Sequence, residues 1–87
     1  MTVPFEVDLK GKVAAVTGGG GILCSRMAEA LAACGARVAV LDLREEAAER
    51  TAAAIREAGG EAAGLQCDVL APESLRQCRE RIEKTFG

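Results

Sequence analysis

Three short apolar runs alternate with three longer segments whose apolar residues recur at helical spacing. This alternation constrains the fold more than any other feature of the chain. The runs are VAAV at 13–16, VAVL at 38–41 and the weaker AAGLQC at 62–67. Short runs that are apolar at every position suit strands covered on both faces, as in the interior of a parallel sheet. Strands are therefore expected at 12–17, 37–41 and 62–67. Between them, the residues at 22–34 place Leu23, Cys24, Met27, Ala28 and Leu31 on one helical face. The residues at 44–58 do the same with Ala48, Thr51, Ala52 and Ile55, and acidic residues crowd the first turns, where the helix dipole favours them. A third helix opens at Pro72, a favoured first-turn position, with Leu75, Cys78, Ile82 and Phe86 as its apolar stripe. Gly35, Gly59-Gly60 and Gly87 mark helix ends. Residues 1–8 read as an irregular arm and 9–12 as a lead-in to the first strand. The resulting order, β-α-β-α-β-α, implies a parallel sheet with helices on its faces. Right-handed crossovers then give the strand order 3-2-1, with the first two helices on one face and the third on the other.

The connection between the first strand and the first helix is TGGGGILC, 17–24. Glycines in such a turn allow positive φ and let a pyrophosphate approach the backbone. The helix that follows presents unpaired N–H groups and the positive end of its dipole. The loop therefore reads as a phosphate cradle. The match to GxGxxG is incomplete, because Cys24 stands where the third glycine belongs. Asp42 closes the second run 21 positions after Gly21, near the offset of about 20 residues at which an acid meets a ribose 2′-OH. Such a carboxylate repels a 2′-phosphate and so favours NAD over NADP, with Arg44 nearby as a countervailing charge. Capping of the second helix is the alternative role for Asp42. For Cys24 the two readings are a small residue filling the helix–strand gap and a thiol activated by the helix N-terminus.

From Leu9 onward the chain resembles the N-terminal third of a short-chain dehydrogenase/reductase. The resemblance is carried jointly by LKGKVAAVTG at 9–18, the TGGGG loop, VAVLD at 38–42, CDV at 67–69 and IEKTFG at 82–87. The loop departs from the commoner TGxxxGxG and fits TGxxGxxG, with Cys24 alone off-pattern. It is similar to the loop of a sugar-acid branch, the D-mannonate/fructuronate oxidoreductases. The resemblance implies an α/β, Rossmann-type doubly wound parallel sheet, of which 1–87 would be the first β-α-β-α-β-α portion. It implies hydride transfer between a nicotinamide and an alcohol or ketone. Gly18, Gly19, Gly20, Gly21, Ile22 and Leu23 would line the pyrophosphate and ribose. Asp42 would hold the adenosine ribose, with Leu43 beside the adenine. Asp68 and Val69 would meet the adenine ring, Asp68 through the exocyclic amine. A strand-end turn is the alternative role for Asp68, and plain packing for Val69.

Other readings narrow the function. A formal net charge of −2, with no Trp or Tyr, argues against nucleic acid as a partner. There is no His, and Cys24, Cys34, Cys67 and Cys78 lack CxxC spacing, which argues against a zinc site. No apolar run approaches a membrane span, the first residues do not resemble a signal peptide, and unpaired thiols suit the cytoplasm. Length, 87 residues, suits one small domain of marginal stability. The family's usual Ser/Tyr/Lys centre has no counterpart here, because the sequence has no Tyr, so no catalytic residue is assigned. An open edge at the first strand and a third-helix stripe short of packing surface lead us to expect that the chain is part of a longer protein, and the family resemblance implies that the longer protein is a homo-oligomer. The alternatives are a non-catalytic nucleotide-binding module and a structural piece that self-associates through its first strand.

Overall fold

The computed structural model describes residues 9–18 and 20–87, so the arm expected at 1–8 and Gly19 lie outside the described residues. The elements are β1 (Val13–Thr17), α1 (Ile22–Ala33), β2 (Arg37–Asp42), α2 (Glu45–Glu57), β3 (Glu61–Gln66) and α3 (Pro72–Phe86). The strands form one parallel sheet in the order β1-β2-β3. Val13 pairs with Arg37 at one end and Thr17 with Leu41 at the other; β3 follows in register, from Arg37 with Glu61 to Asp42 with Gln66. The fold is thus the Rossmann-type portion expected from the alternation, with element ends within one or two residues.

β2 sits at the centre because every residue of VAVL can be buried. Its alternate side chains feed two separate cores, as a strand's period of two requires. Val38 and Val40 join Ala28 of α1 and Ala48, Ala52 and Ile55 of α2. On the opposite face Ala39 and Leu41 join Leu65, Cys67 and Cys78, with Ile82 and Phe86 of α3 packed against them. Helices α1 and α2 therefore share one face and α3 takes the other. Arg37 ties down the end of α3: its Nη1 donates to the Phe86 carbonyl at 2.7 Å, and its guanidinium lies 5.7 Å from the Phe86 ring centre, within cation–π range.

The expectation of a first strand covered on both faces is corrected. Ala14 and Val16 pack against the α1/α2 core, whereas Val13, Ala15 and Thr17 are exposed. The cause is position: β1 is the edge of this sheet, and the cluster beneath α3 draws only on β2 and β3. The same cause corrects the α1 stripe. Ala28 is buried, and Leu31 and Ala32 pack on the core, while Leu23 and Met27 point away from it and are exposed. Leu75, expected within the α3 stripe, is also exposed.

Helix α2 lies close to the sheet because small residues line the contact. Ala47, Ala48 and Ala52 are fully buried, and Gly64 of β3 faces the α2 backbone. A Cβ at Gly64 would stand 2.7 Å from the Glu49 nitrogen and 2.8 Å from its Cα. Backbone cannot yield as a side chain can, so Gly64→Ala should force the helix off the sheet at a cost of about 1–3 kcal/mol. The expected result is a lower urea midpoint with an unchanged m-value; an unchanged midpoint would mean that α2 has slack against β3.

Candidate functional site

Parallel strands bring their C-terminal ends to one edge of the sheet. Here Thr17, Asp42 and Cys67 emerge together. With Gly18, Leu43, Asp68, Val69 and Leu70 they line a cleft of about 430 Å³. A second depression, about 370 Å³, lies between the C-terminal turns of α1 and α2; Glu29 is its single charged residue among small and apolar ones. Only the first brings together polar groups from several elements, so the chemistry is sought there.

The glycine loop forms one wall of this site. The chain turns at Gly18, with φ 64°, and the Gly21 N–H donates back to the Gly18 carbonyl at 3.0 Å. Gly21 is then the N-cap of α1. It has no side chain to cap the helix, and the first turn contains no acidic residue. The leading N–H groups and the positive end of the dipole are left for an external anion.

Asp42 joins this loop to the second strand. The Gly20 N–H donates to its Oδ2 at 3.0 Å, and the Arg44 N–H donates to its Oδ1 at 3.0 Å. The Arg44 N–H bond is the largest influence holding the carboxyl below its ordinary pKa. Partial burial opposes it, and the Gly20 N–H and the Arg44 charge reinforce it. Asp42 is not the cap of α2: that position is Arg44, which makes no side-chain cap bond. The Gly20–Asp42 contact requires glycine. A Cβ at position 20 would meet the Ala47 Cβ at 2.5 Å and Asp42 Oδ2 at 2.8 Å. The N-terminus of α2 thus buttresses the loop from behind.

Asp68 forms the opposite wall. Its N–H donates to Ser74 Oγ at 2.9 Å, its Oδ1 accepts from the Leu70 N–H at 3.0 Å, and its carbonyl accepts from the Ala71 N–H. It therefore makes the strand-end turn that the sequence left open as a role. Of the residues expected in a cofactor site, Gly18, Asp42, Leu43, Asp68 and Val69 converge on the cleft. Gly20 and Gly21 stand at the loop beside it. Ile22 and Leu23, in the first turn of α1, are 85% and 73% exposed and lie outside its lining. Gly19 is beyond the described residues. The sequence reading did not assign Thr17, Cys67 and Leu70 to the site; their place immediately beside Gly18, Asp68 and Val69 was the available signal. Cys24 is half-buried in the first turn of α1. Among the described residues, no group of three or more His, Cys, Asp or Glu could hold a metal ion, and no helix is long and apolar enough to cross a membrane.

The family model for short chain dehydrogenase matches residues 12–87. The chain belongs to that family. Among relatives of this short-chain dehydrogenase chain, an uncharacterized oxidoreductase of Haemophilus influenzae is 39% identical over 87 residues, covering all of this chain and 30% of its own length. D-threitol dehydrogenase of Mycolicibacterium smegmatis is 37% identical over 87 residues, again all of this chain and 34% of its own. A solved structure with bound NAD, of a candidate D-mannonate oxidoreductase from Haemophilus influenza, is 41% identical with a TM-score of 0.90. It covers 93% of this chain, which matches 29% of that one. The short-chain dehydrogenase chain thus spans about a third of the length of these relatives.

The lowered Asp42 pKa fixes a direction of acid sensitivity. Its hydrogen bonds stabilise the native state fully above the unfolded carboxyl value, about 3.9. That contribution is lost as pH falls through the lower native value. Asp42→Asn should therefore reduce the loss of stability below about pH 4, read as urea midpoints along an acid series. An NMR titration should place the Asp42 carboxyl midpoint below that of an ordinary aspartate; a midpoint at or above it would contradict the two N–H bonds.

Proposed function

We propose that residues 1–87 are the N-terminal dinucleotide-binding portion of a single Rossmann-type domain, in an oxidoreductase that uses NAD. The observation that carries this reading is the Asp42 carboxylate fixed to the Gly20 N–H. It sets a carboxylate, read here as the acid that meets the ribose, beside an uncapped helix N-terminus at the mouth of the strand-end cleft. The NAD-bound structure, 41% identical to this chain, supports it.

In this reading the Gly18, Gly19, Gly20 and Gly21 backbone and the first N–H groups of α1 hold the pyrophosphate, with Ile22 and Leu23 beside the phosphate and ribose. Asp42 accepts hydrogen bonds from the adenosine ribose hydroxyls. Each carboxylate oxygen already accepts one backbone N–H, and each has a second lone pair to offer. Leu43 and Val69 flank the adenine, and Asp68 accepts from its exocyclic amine. A negative Asp42 disfavours a 2′-phosphate, hence NAD over NADP. When bound, NAD supplies hydride exchange with an alcohol or ketone. The residues assigned here bind and orient it, and none is assigned a proton transfer. A sugar acid is the substrate class suggested by the D-mannonate oxidoreductase likeness. The longer protein would act as a homo-oligomer in the cytoplasm, without nucleic acid, membrane or metal.

Calorimetric titration with NAD and with NADP tests this. NAD should bind more tightly. Asp42→Ala removes hydrogen bonds to a charged acceptor, worth about 1.5–3 kcal/mol, so NAD affinity should fall roughly 10- to 100-fold and the preference over NADP should shrink. Tighter NADP binding by the unaltered protein, or unchanged affinities in the variant, would overturn the assignment.

A further inference from the structure

Gly20 is held from two sides. On one side its N–H donates to Asp42 Oδ2 at 3.0 Å. On the other lies Ala47 of α2, buried at 1% exposure. A Cβ at position 20 would meet the Ala47 Cβ at 2.5 Å and the Ala47 carbonyl carbon at 3.1 Å. Both holds belong to one turn of chain. Asp42 Oδ1 accepts from the Arg44 N–H, and the Arg44 carbonyl accepts from the N–H groups of Ala47 and Ala48, both at 3.2 Å. That turn is itself seated on the sheet. A Cβ at Gly64 of β3 would stand 2.9 Å from the Ala48 carbonyl carbon, and Ala48, Ala52 and Ile55 anchor α2 in the core. The loop has no such backing on its other side, where Gly18 and Gly21 are exposed and Ile22 is 85% exposed. A larger side chain at position 47 is therefore met by movement of the loop, not of α2.

We propose that Ala47 is a positioning residue for the glycine loop: it touches no ligand, but the size of its side chain decides whether Gly20 stays on Asp42, and so sets the affinity for the pyrophosphate half of a dinucleotide. The inference rests on the cofactor reading above. A loop already fixed in one shape has less freedom to lose when an anion arrives. The same fixing sets where the chain enters α1, and hence where the leading N–H groups of that helix point. Hydrogen bonds to phosphate weaken steeply with misdirection, so a displaced Gly20 is felt at the anion. The adenosine half is insulated from this. The Arg44 N–H still orients Asp42 Oδ1 when Gly20 has moved, and Asp68 and Val69 stand across the cleft, after β3. Position 47 therefore acts on one half of the ligand and spares the other.

The test titrates the unaltered protein, Ala47→Ser and Ala47→Val with inorganic pyrophosphate and, separately, with adenosine, following backbone amide resonances. Pyrophosphate affinity should fall in order of side-chain size, by about tenfold for Ala47→Val, while adenosine affinity changes less than about twofold. The Gly20 amide proton should move upfield in the same order as its bond to Asp42 is lost. If Ala47→Val does not fold, Ala47→Ser, which adds a single heavy atom, decides. Pyrophosphate affinity and a Gly20 resonance that do not change with position 47 would overturn the proposal; with NAD still binding at the strand ends, they leave the cofactor reading intact. An equal loss for pyrophosphate and adenosine would also overturn it, because that is the mark of general loosening. No response of the loop in the unaltered protein to pyrophosphate or to NAD would overturn the cofactor reading and this inference with it.

Discussion

Parallel pairing of β2 with both of its neighbours is the constraint on which the rest of the structure depends. Parallel strands cannot be joined by tight turns, so each must be followed by a crossover helix. With right-handed crossovers, the helices must divide between the two faces. β2 then has to be apolar on both sides, and VAVL meets that demand by feeding Val38 and Val40 into one core and Ala39 and Leu41 into the other. The same pairing delivers Thr17, Asp42 and Cys67 to one edge. The cleft is a consequence of the topology before any of its residues is chosen for chemistry.

At that edge a short polar connection turns a fold into a site. The Asp42 carboxylate accepts from Gly20 on one side and Arg44 on the other, so it holds the loop against the start of α2. The loop can come that near because Gly20 has no side chain and Ala47 has a small one. An uncapped helix terminus and a negative carboxylate thus stand side by side, oriented by backbone groups.

The sequence made the element order, the helix faces of α2, the strand order and the convergence of Gly18, Asp42, Leu43, Asp68 and Val69 legible, because each follows from local periodicity or from parallel topology. What it did not make legible depends on neighbours in space. VAAV looks like a doubly covered strand, yet Val13 and Ala15 are exposed because β1 is at the sheet edge. Leu23 and Met27 have helical spacing but sit on the flank of α1 beyond the reach of β2. The buttressing of Gly20 by Ala47 and the anchoring of Asp68 by Ser74 join residues far apart in the chain or across a turn, and nothing in their spacing announces them. The shared burial of Cys67 and Cys78 is of the same kind: two residues scattered in the chain join one apolar cluster only when α3 lies on β3.

Whether the loop and Asp42 hold the two ends of a dinucleotide is tested most directly by following backbone amide resonances during titration with NAD. Saturable shifts should appear at Gly18, Gly20, Gly21 and Asp42, and at Asp68 and Val69 across the cleft, with the helix ends at Ala33 and Ala58 unmoved. Shifts confined to the depression around Glu29, Ala54 and Gly59, or no shifts at saturating NAD, would contradict the placement of the cofactor at the strand ends.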